Sequence, residues 1–384
     1  MKPIPYARQS IDRADIEAVV EVLRSDWLTQ GPAVARFEQA LAAYAGARHA
    51  VAASNATAAL HLACLALGLG PGDALWTSPN TFVASANCAR YCGARVDFVD
   101  IDPQTGNLSV AELERKLERA HSEKRLPKAL LCVHFGGRPC NMPAIAALAR
   151  NYGIAVIEDA AHAIGAEYGR GKVGNCAYSD VAVFSFHPVK IITTGEGGAA
   201  LTNRGDLAER IALLRSHGIT RDASRMLGPS HGPWYYEQLE LGFNYRMTDI
   251  QAALGASQLS RIEQFVGRRR TLARRYAERL AGLDLALPPP DGDVKSAWHL
   301  YPVQLTGRKS RRAVFDELRA RQISANVHYI PVHLQPYYRA LGFARGDFPR
   351  AEQFYDRALT LPLFPAMSED EQDAVCEALR EVLA

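Results

Sequence analysis

Phe184-Ser185-Phe186-His187-Pro188-Val189-Lys190-Ile191-Ile192-Thr193-Thr194-Gly195-Glu196-Gly197-Gly198 is the stretch whose reading decides the fold. The apolar run Val181 to Phe184 enters it and a second run, Ala199-Ala200-Leu201, leaves it. The segment therefore reads as a polar turn between two buried strands, carrying one lysine. Most lysines are solvated loop residues. A lysine held between buried strands can instead be a chemical tool, because desolvation lowers its pKa and frees the amine to attack a carbonyl. The Gly197-Gly198 pair lets the backbone pass close to a ligand.

Upstream of the turn, strands and helices alternate. Strand candidates are 50–52, 74–77, 96–99, 129–133, 154–157 and 181–184, and helices are expected over 56–67, 85–91, 110–120 and 143–152. Helices are also expected over 12–24 and 32–46. This alternation implies an α/β fold with a mostly parallel sheet covered on both faces, which binds ligands at the carboxyl ends of its strands. Downstream, 207–215 and the Arg-rich stretch 247–280 read as helices, and the latter links two parts of the chain. Strands at 299–305 and 324–329 and a terminal helix over 369–383, with Ser368 and Glu371 spaced as a capping box, suggest a smaller α+β domain. The boundary falls near residue 255, giving domains 1–255 and 256–384.

Composition narrows the function. The 384 residues are 48% hydrophobic and 22% charged with net charge +3, too balanced for nucleic acid or a membrane surface as main partner. The seven cysteines are scattered and complete no metal set, so free thiols are the better reading. Met1 to Tyr6 lacks the apolar core of a signal peptide, and no apolar run is long enough to span a bilayer. The expected location is the cytoplasm.

Three places could carry chemistry. Ala53-Ser54-Asn55-Ala56-Thr57 follows a strand and opens a helix, where free N–H groups and the helix dipole suit a phosphate. An ordinary cap at Ser54 or Asn55 is the plainer reading. Glu158-Asp159-Ala160-Ala161-His162 ends another strand. A carboxylate there can hold the pyridine nitrogen of pyridoxal phosphate, while His162 could contact the ring or its phenolic oxygen. A capping Asp and a packed core His are the alternatives. The third place is the lysine turn, with Ser185 as a phosphate ligand and Lys190 forming the Schiff base. The three in this order, each after a strand, are more specific than any one of them.

The chain resembles the fold-type I pyridoxal phosphate aminotransferases of the DegT/StrS family from Tyr6 to Leu363. The resemblance rests on Leu28-Thr29-Gln30-Gly31-Pro32, Ser54-Asn55-Ala56-Thr57, Thr81-Phe82-Val83-Ala84, Glu158 to His162, and Gly242-Phe243-Asn244-Tyr245-Arg246. It implies a mostly parallel seven-stranded sheet in the large domain. Lys190 would be the Schiff-base lysine, Asp159 the partner of the ring nitrogen, and Phe82 would stack on the ring. Ala56, Thr57 and Ser185 would hold the phosphate. Asn244 would reach the phosphate of the other subunit, making the active unit a homodimer. In the Gly136-to-Met142 stretch the family often has an Asp where this chain has Asn141, which can still cap the following helix.

Within the family the chain looks most like the branch that aminates UDP-4-keto sugars in pseudaminic acid biosynthesis, on Phe184 to Gly198, Arg215 to Gly218 and Val327 to His333. That likeness implies transfer of the amino group of L-glutamate to C4 of a UDP-4-keto-6-deoxy-N-acetylhexosamine. Tyr6, Asp26, Trp27, Leu28, Thr29 and a strand Val327-His328-Tyr329-Ile330 would line the nucleotide-sugar pocket. Arg246, His187 and His328 would hold glutamate or the diphosphate. Enzymes for GDP-linked or other UDP-linked 4-keto sugars are the near alternatives. A C3-dehydrating branch has histidine in place of Lys190, and a nicotinamide-dependent reductase would need glycines that 53–59 lacks. A non-catalytic nucleotide-sugar binding module would keep the fold without cofactor chemistry.

Overall fold

The structure is a computed structural model that describes residues 3–169 and 171–384. Seven strands form the central sheet: β1 His49–Ala53, β2 Ala74–Thr77, β3 Arg95–Phe98, β4 Ala129–Val133, β5 Ala155–Asp159, β6 Val181–Ser185 and β7 Gly198–Thr202. Their order is β1-β7-β6-β5-β4-β2-β3. All run parallel except β7, which is antiparallel to both neighbours. The reversal has a consequence for the site. Because β7 returns beside β6, the lysine turn stays at the carboxyl edge of β6, level with the carboxyl ends of β1 and β5. Gly198 pairs with Ala53 on one side and Ser185 on the other, so all three candidate turns converge on one sheet edge.

Strands β4 and β6 are buried along their whole length because both faces are covered. Alternation divides the side chains of the sheet between two cores. One face packs Leu130, Val156, Ala182 and Phe184 under helices α2 (Pro32–Ala45), α5 (Val110–Ser122) and α6 (Met142–Asn151). The other packs Leu131, Ile157, Val181 and Val183 under α3 (Ala56–Ala66), α4 (Ala84–Tyr91) and α7 (Gly205–Arg215). Helix α1 (Arg13–Leu23) is started by a capping box on Asp12. Asn141 caps α6 through Ala144 N–H, as its substitution for Asp allowed.

The expected helix over 247–280 is two helices, α8 (Asp249–Ser260) and α9 (Ile262–Arg279). No Pro or Gly marks the break at Arg261; its guanidinium is drawn to Asp12 and Asp15 at the start of α1. Helix α9 begins in the first core with Ile262, Phe265 and Val266. It ends in a third core with Leu272, Ala273 and Tyr276. That third core lies under the strands Leu285–Ala286, Tyr301–Leu305 and Ala358–Leu361, with the helix Glu369–Leu383 across it. Ile4 joins it by bridging Ile323, and Leu363 N–H donates to the Tyr6 carbonyl, which ties the N-terminal arm to the C-terminal part.

The strand expected at 324–329, with Val327–Ile330 along the pocket, is not formed. Only Asn326 pairs, with Thr360. The next residues both turn toward the sheet edge: His328 Nδ1 lies 2.9 Å from Thr360 Oγ1 and Tyr329 Oη 3.1 Å from His162 Nε2. A strand sends consecutive side chains to opposite faces, so two inward neighbours exclude it.

Candidate active site

A cavity of about 760 Å³ opens at the carboxyl edge of the sheet. Each expected cofactor residue except Asn244 lines it: Ala56, Thr57, Phe82, Asp159, His162, Ser185 and Lys190.

The lysine turn is held by its own backbone. Phe186 N–H donates to Gly197 O and Thr194 N–H to Phe186 O, each at 2.9 Å. Thr193 Oγ1 donates to Phe186 O at 3.0 Å and Thr194 Oγ1 to Glu196 O at 2.7 Å. Thr193 and Thr194 are therefore clamps that close the turn, and Gly195 supplies its left-handed residue at φ 79°. Lys190 is half-buried at the turn's apex. Burial brings its pKa down to about 8, opposed by the charge of Asp159. Roughly a tenth of the amine is then uncharged at pH 7, against a vanishing fraction for a solvated lysine.

This depression makes a signed prediction. Only the uncharged Nζ attacks an aldehyde, so the rate at which apoprotein takes up pyridoxal phosphate should rise with pH, with a midpoint about 8. Stopped-flow absorbance checks this, and a rate still climbing at about pH 10 would show an ordinary solvated lysine.

The turn between β1 and α3 satisfies both readings of its sequence. Asn55 is the cap, accepting from Ala58 N–H at 2.8 Å, and Ala56 and Thr57 still line the cavity. The first N–H groups of a helix have no intrahelical partner and favour an anion. A methyl on Gly198 would stand 2.5 Å from Ala56 N, so strand and helix meet there with no room for a side chain. Gly198→Ala should push α3 off the sheet edge, weakening retention of a phosphate-bearing cofactor at least about tenfold and costing about 1–3 kcal/mol of stability. Equilibrium dialysis and urea denaturation measure the two effects. Unchanged retention would show that the α3 N-terminus holds no phosphate.

Alternation sends the neighbours Glu158 and Asp159 to opposite faces. Glu158 is fully buried away from the cavity, bonded to His134, Tyr168 and Ser179. Asp159 faces the cavity, its Oδ1 accepting from Ala161 N–H at 3.1 Å and its Oδ2 from Ser85 Oγ at 2.6 Å. His162 is buried beside it, and burial, then the charge of Lys190, holds its pKa well below the ordinary value. Gly136 N–H donates to His162 Nδ1 at 3.3 Å, which leaves the proton of the neutral ring on Nε2, directed at Tyr329 Oη. Burial raises the phenol pKa of Tyr329, with the charge of Asp159 adding to it, so the phenol stays protonated. Two other buried histidines of the wall are neutral for the same reason: burial brings His328 to about 3 and puts His299 well below its ordinary value.

Tyr6, His187, His328 and Tyr329 line the cavity, as expected of them. Asp26, Trp27, Leu28, Thr29, Arg246, Val327 and Ile330 do not line the cavity of their own chain. Asp26 to Thr29 is exposed and tied to the start of α8, through the Thr29–Thr248 bridge and the Asp249 N–H to Leu28 carbonyl bond. Asn244 is exposed and bridges Ser216, outside the cavity. Among the wall residues that sequence reading missed are His61, Thr81, Tyr245 and His299. Thr81 was within reach: it lies in a quoted motif, one helical turn before Ser85. His299 gave no local signal, since it resembles any residue entering an apolar strand.

The donor set fits pyridoxal phosphate: unpaired helix N–H groups for the phosphate, a carboxylate for a protonated ring nitrogen, an exposed aromatic face at Phe82, and an amine of depressed pKa. Sheet and site together are those of a fold-type I pyridoxal-phosphate-dependent enzyme. The chain belongs to the DegT/DnrJ/EryC1/StrS aminotransferase family, whose model matches residues 9–380. It is 42% identical over 388 residues to the spore coat polysaccharide biosynthesis protein SpsC of Bacillus subtilis, covering 99% of this chain and 97% of that one. Among solved structures it is similar to PseC of Helicobacter pylori, an aminotransferase involved in pseudaminic acid biosynthesis. That match has TM-score 0.91 and 30% identity over 100% of this chain and 99% of the other. The putative sugar aminotransferase Spr1654 of Streptococcus pneumoniae, in its PMP form, matches with TM-score 0.89 and 30% identity over 99% and 98% of the two chains.

Proposed function

We propose that this aminotransferase moves the amino group of L-glutamate to C4 of a UDP-linked 4-keto-6-deoxy-N-acetylhexosamine, a step of the kind found in pseudaminic acid biosynthesis. The observation that carries the chemistry is Lys190, a half-buried amine of depressed pKa that lines the same cavity as Asp159 and senses its charge. The likeness to PseC supports the sugar reading. Bound pyridoxal phosphate supplies an aldehyde for the amine and a ring that accepts electrons. Asp159 holds the proton of the ring nitrogen, Phe82 covers the ring, and the N–H groups of Ala56 and Thr57 with Ser185 hold the phosphate. Lys190 Nζ takes the proton from Cα of glutamate and later returns one to C4 of the sugar, and its side of approach fixes the configuration of the new amine. Neutral His162, His299 and His328 suit this, because none of the three competes for those protons as an imidazolium.

The active unit in this reading is a cytoplasmic homodimer, each chain dividing near residue 255. Two facts support it. Lys190 is the single Lys or Arg among the described residues lining the cavity, a sparse complement for a diphosphate and two carboxylates. Apart from Val327 and Ile330, the expected site residues that miss their own cavity, Asp26 to Thr29, Asn244 and Arg246, lie in two stretches joined by the Thr29–Thr248 bridge. That surface also exposes Trp27 and Leu241, at 55% and 83%. In the dimer these residues would complete the partner's cavity. The test is a panel of UDP- and GDP-linked 4-keto sugars offered with glutamate, with products identified by NMR. A 4-amino UDP-N-acetyl sugar formed fastest is expected; amination of a GDP sugar alone would overturn the sugar assignment and leave the chemistry standing.

A further inference from the structure

Ser85 has no contact with the cavity, yet it is joined to the residue that faces the cofactor. It sits in the first turn of α4, is 1% exposed, and does not line the cavity wall. Its Oγ lies 2.6 Å from Asp159 Oδ2 and 2.7 Å from Thr81 Oγ1. A carboxylate has no hydrogen to give, so the single hydroxyl proton of Ser85 goes to Asp159. The proton of Thr81 must then go to Ser85. Thr81 and Asp159 are buried as well, and adjoining hydrogen bonds in such surroundings polarise one another. With Ala161 N–H on Oδ1, each carboxylate oxygen spends one lone pair on the protein. What remains is turned to the cavity.

We propose that Ser85, backed by Thr81, is a positioning residue that fixes the plane of the Asp159 carboxylate, so that its remaining lone pairs are aimed at the proton on the cofactor's ring nitrogen and hold it there. The inference rests on the role proposed for Asp159. The physical argument is that a hydrogen bond to each oxygen fixes the rotation of the carboxylate and with it the direction of the lone pairs left over. Were the carboxylate free to turn, it would hold the ring proton less well, and the ring would accept electrons less well. The titratable groups around this carboxylate are Lys190, whose charge it supports, Tyr329, whose phenol it keeps protonated, and the neutral His162 on the same turn. None of them donates to its oxygens.

The test compares wild type with Ser85→Ala, Ser85→Thr and Thr81→Val. Three quantities are read: the dissociation constant of pyridoxal phosphate from apoprotein, the pH midpoint of the holoenzyme's visible absorbance, and the melting temperature of the apoprotein. Ser85→Ala should bind the cofactor about tenfold more weakly, as loss of one charge-assisted bond implies. Its absorbance midpoint should move up, because a less protonated ring withdraws fewer electrons. Ser85→Thr keeps the hydroxyl and should restore both within about twofold. Should Ser85→Ala not fold, Thr81→Val moves both readouts in the same direction by a smaller amount. An unmoved midpoint in the folded variants, or Ser85→Thr as poor as Ser85→Ala, overturns the relay and assigns Ser85 to packing alone. Wild-type apoprotein that binds no pyridoxal phosphate overturns the cofactor role itself.

Discussion

Lys190→Ala is expected to fold, to bind pyridoxal phosphate without a covalent bond, and to transfer no measurable amine. The amine acts twice in the proposed reaction, as the group that holds the cofactor and as the carrier of two protons. A positioned acid or base contributes about 10²–10⁴-fold on its own, and loss of the covalent hold adds to that, so a fall of at least about 10⁴ in kcat is expected. The loss should fall on kcat, because neither substrate is bound principally through this side chain. Stability should not fall with it. Burial disfavours the charged lysine in the folded state, and alanine removes that penalty, so the variant should melt no lower than wild type near pH 7. Differential scanning calorimetry beside a glutamate half-reaction assay reads both effects. A variant that still aminated the keto sugar at the wild-type rate would contradict the mechanism.

Asp159→Asn is expected to have the second largest effect. The substitution keeps the shape and an oxygen that can accept from Ser85 or Ala161, but removes the charge that holds a ring proton. Without that charge the ring is a poor electron sink, and kcat should fall about 10³-fold while the fold persists. A second consequence is independent of turnover. The charge of Asp159 raises the pKa of Lys190 against burial, so its loss should carry the midpoint of pyridoxal phosphate uptake below the value of about 8 in wild type. A midpoint moved upward, or unmoved, would mean that the two groups do not sense each other.

Much of the site was legible because it is built from local units. Ala56, Asp159 and Lys190 each lie at or beyond the carboxyl end of a strand, and strands in such a sheet deliver these residues to one edge. The apolar runs on either side of the lysine turn were enough to place it. What they did not show was that β7 runs backwards, which is why Gly198 meets the phosphate turn and Ser185 together.

The residues that escaped were placed by contacts distant in sequence. Val327 to Ile330 has the composition of a strand, yet His328 and Tyr329 are both turned inward by Thr360 and His162. Ser85 reads as a helix residue until Asp159, 74 positions on, lies against its hydroxyl. Tyr6 reaches the wall because Ile4 is anchored at Ile323 in the third core. Asp26 to Thr29 was placed in the pocket by resemblance alone, and its own chain leaves it exposed beside the start of α8.

The central claim is that Lys190 is the residue joined to pyridoxal phosphate. Borohydride reduction of the holoenzyme, followed by proteolysis and peptide mass spectrometry, tests it without reference to any sugar. A single phosphopyridoxyl group on the peptide carrying Lys190, lost when glutamate is added before reduction, is the result expected. Labelling of another lysine with Lys190 unmodified would contradict the account.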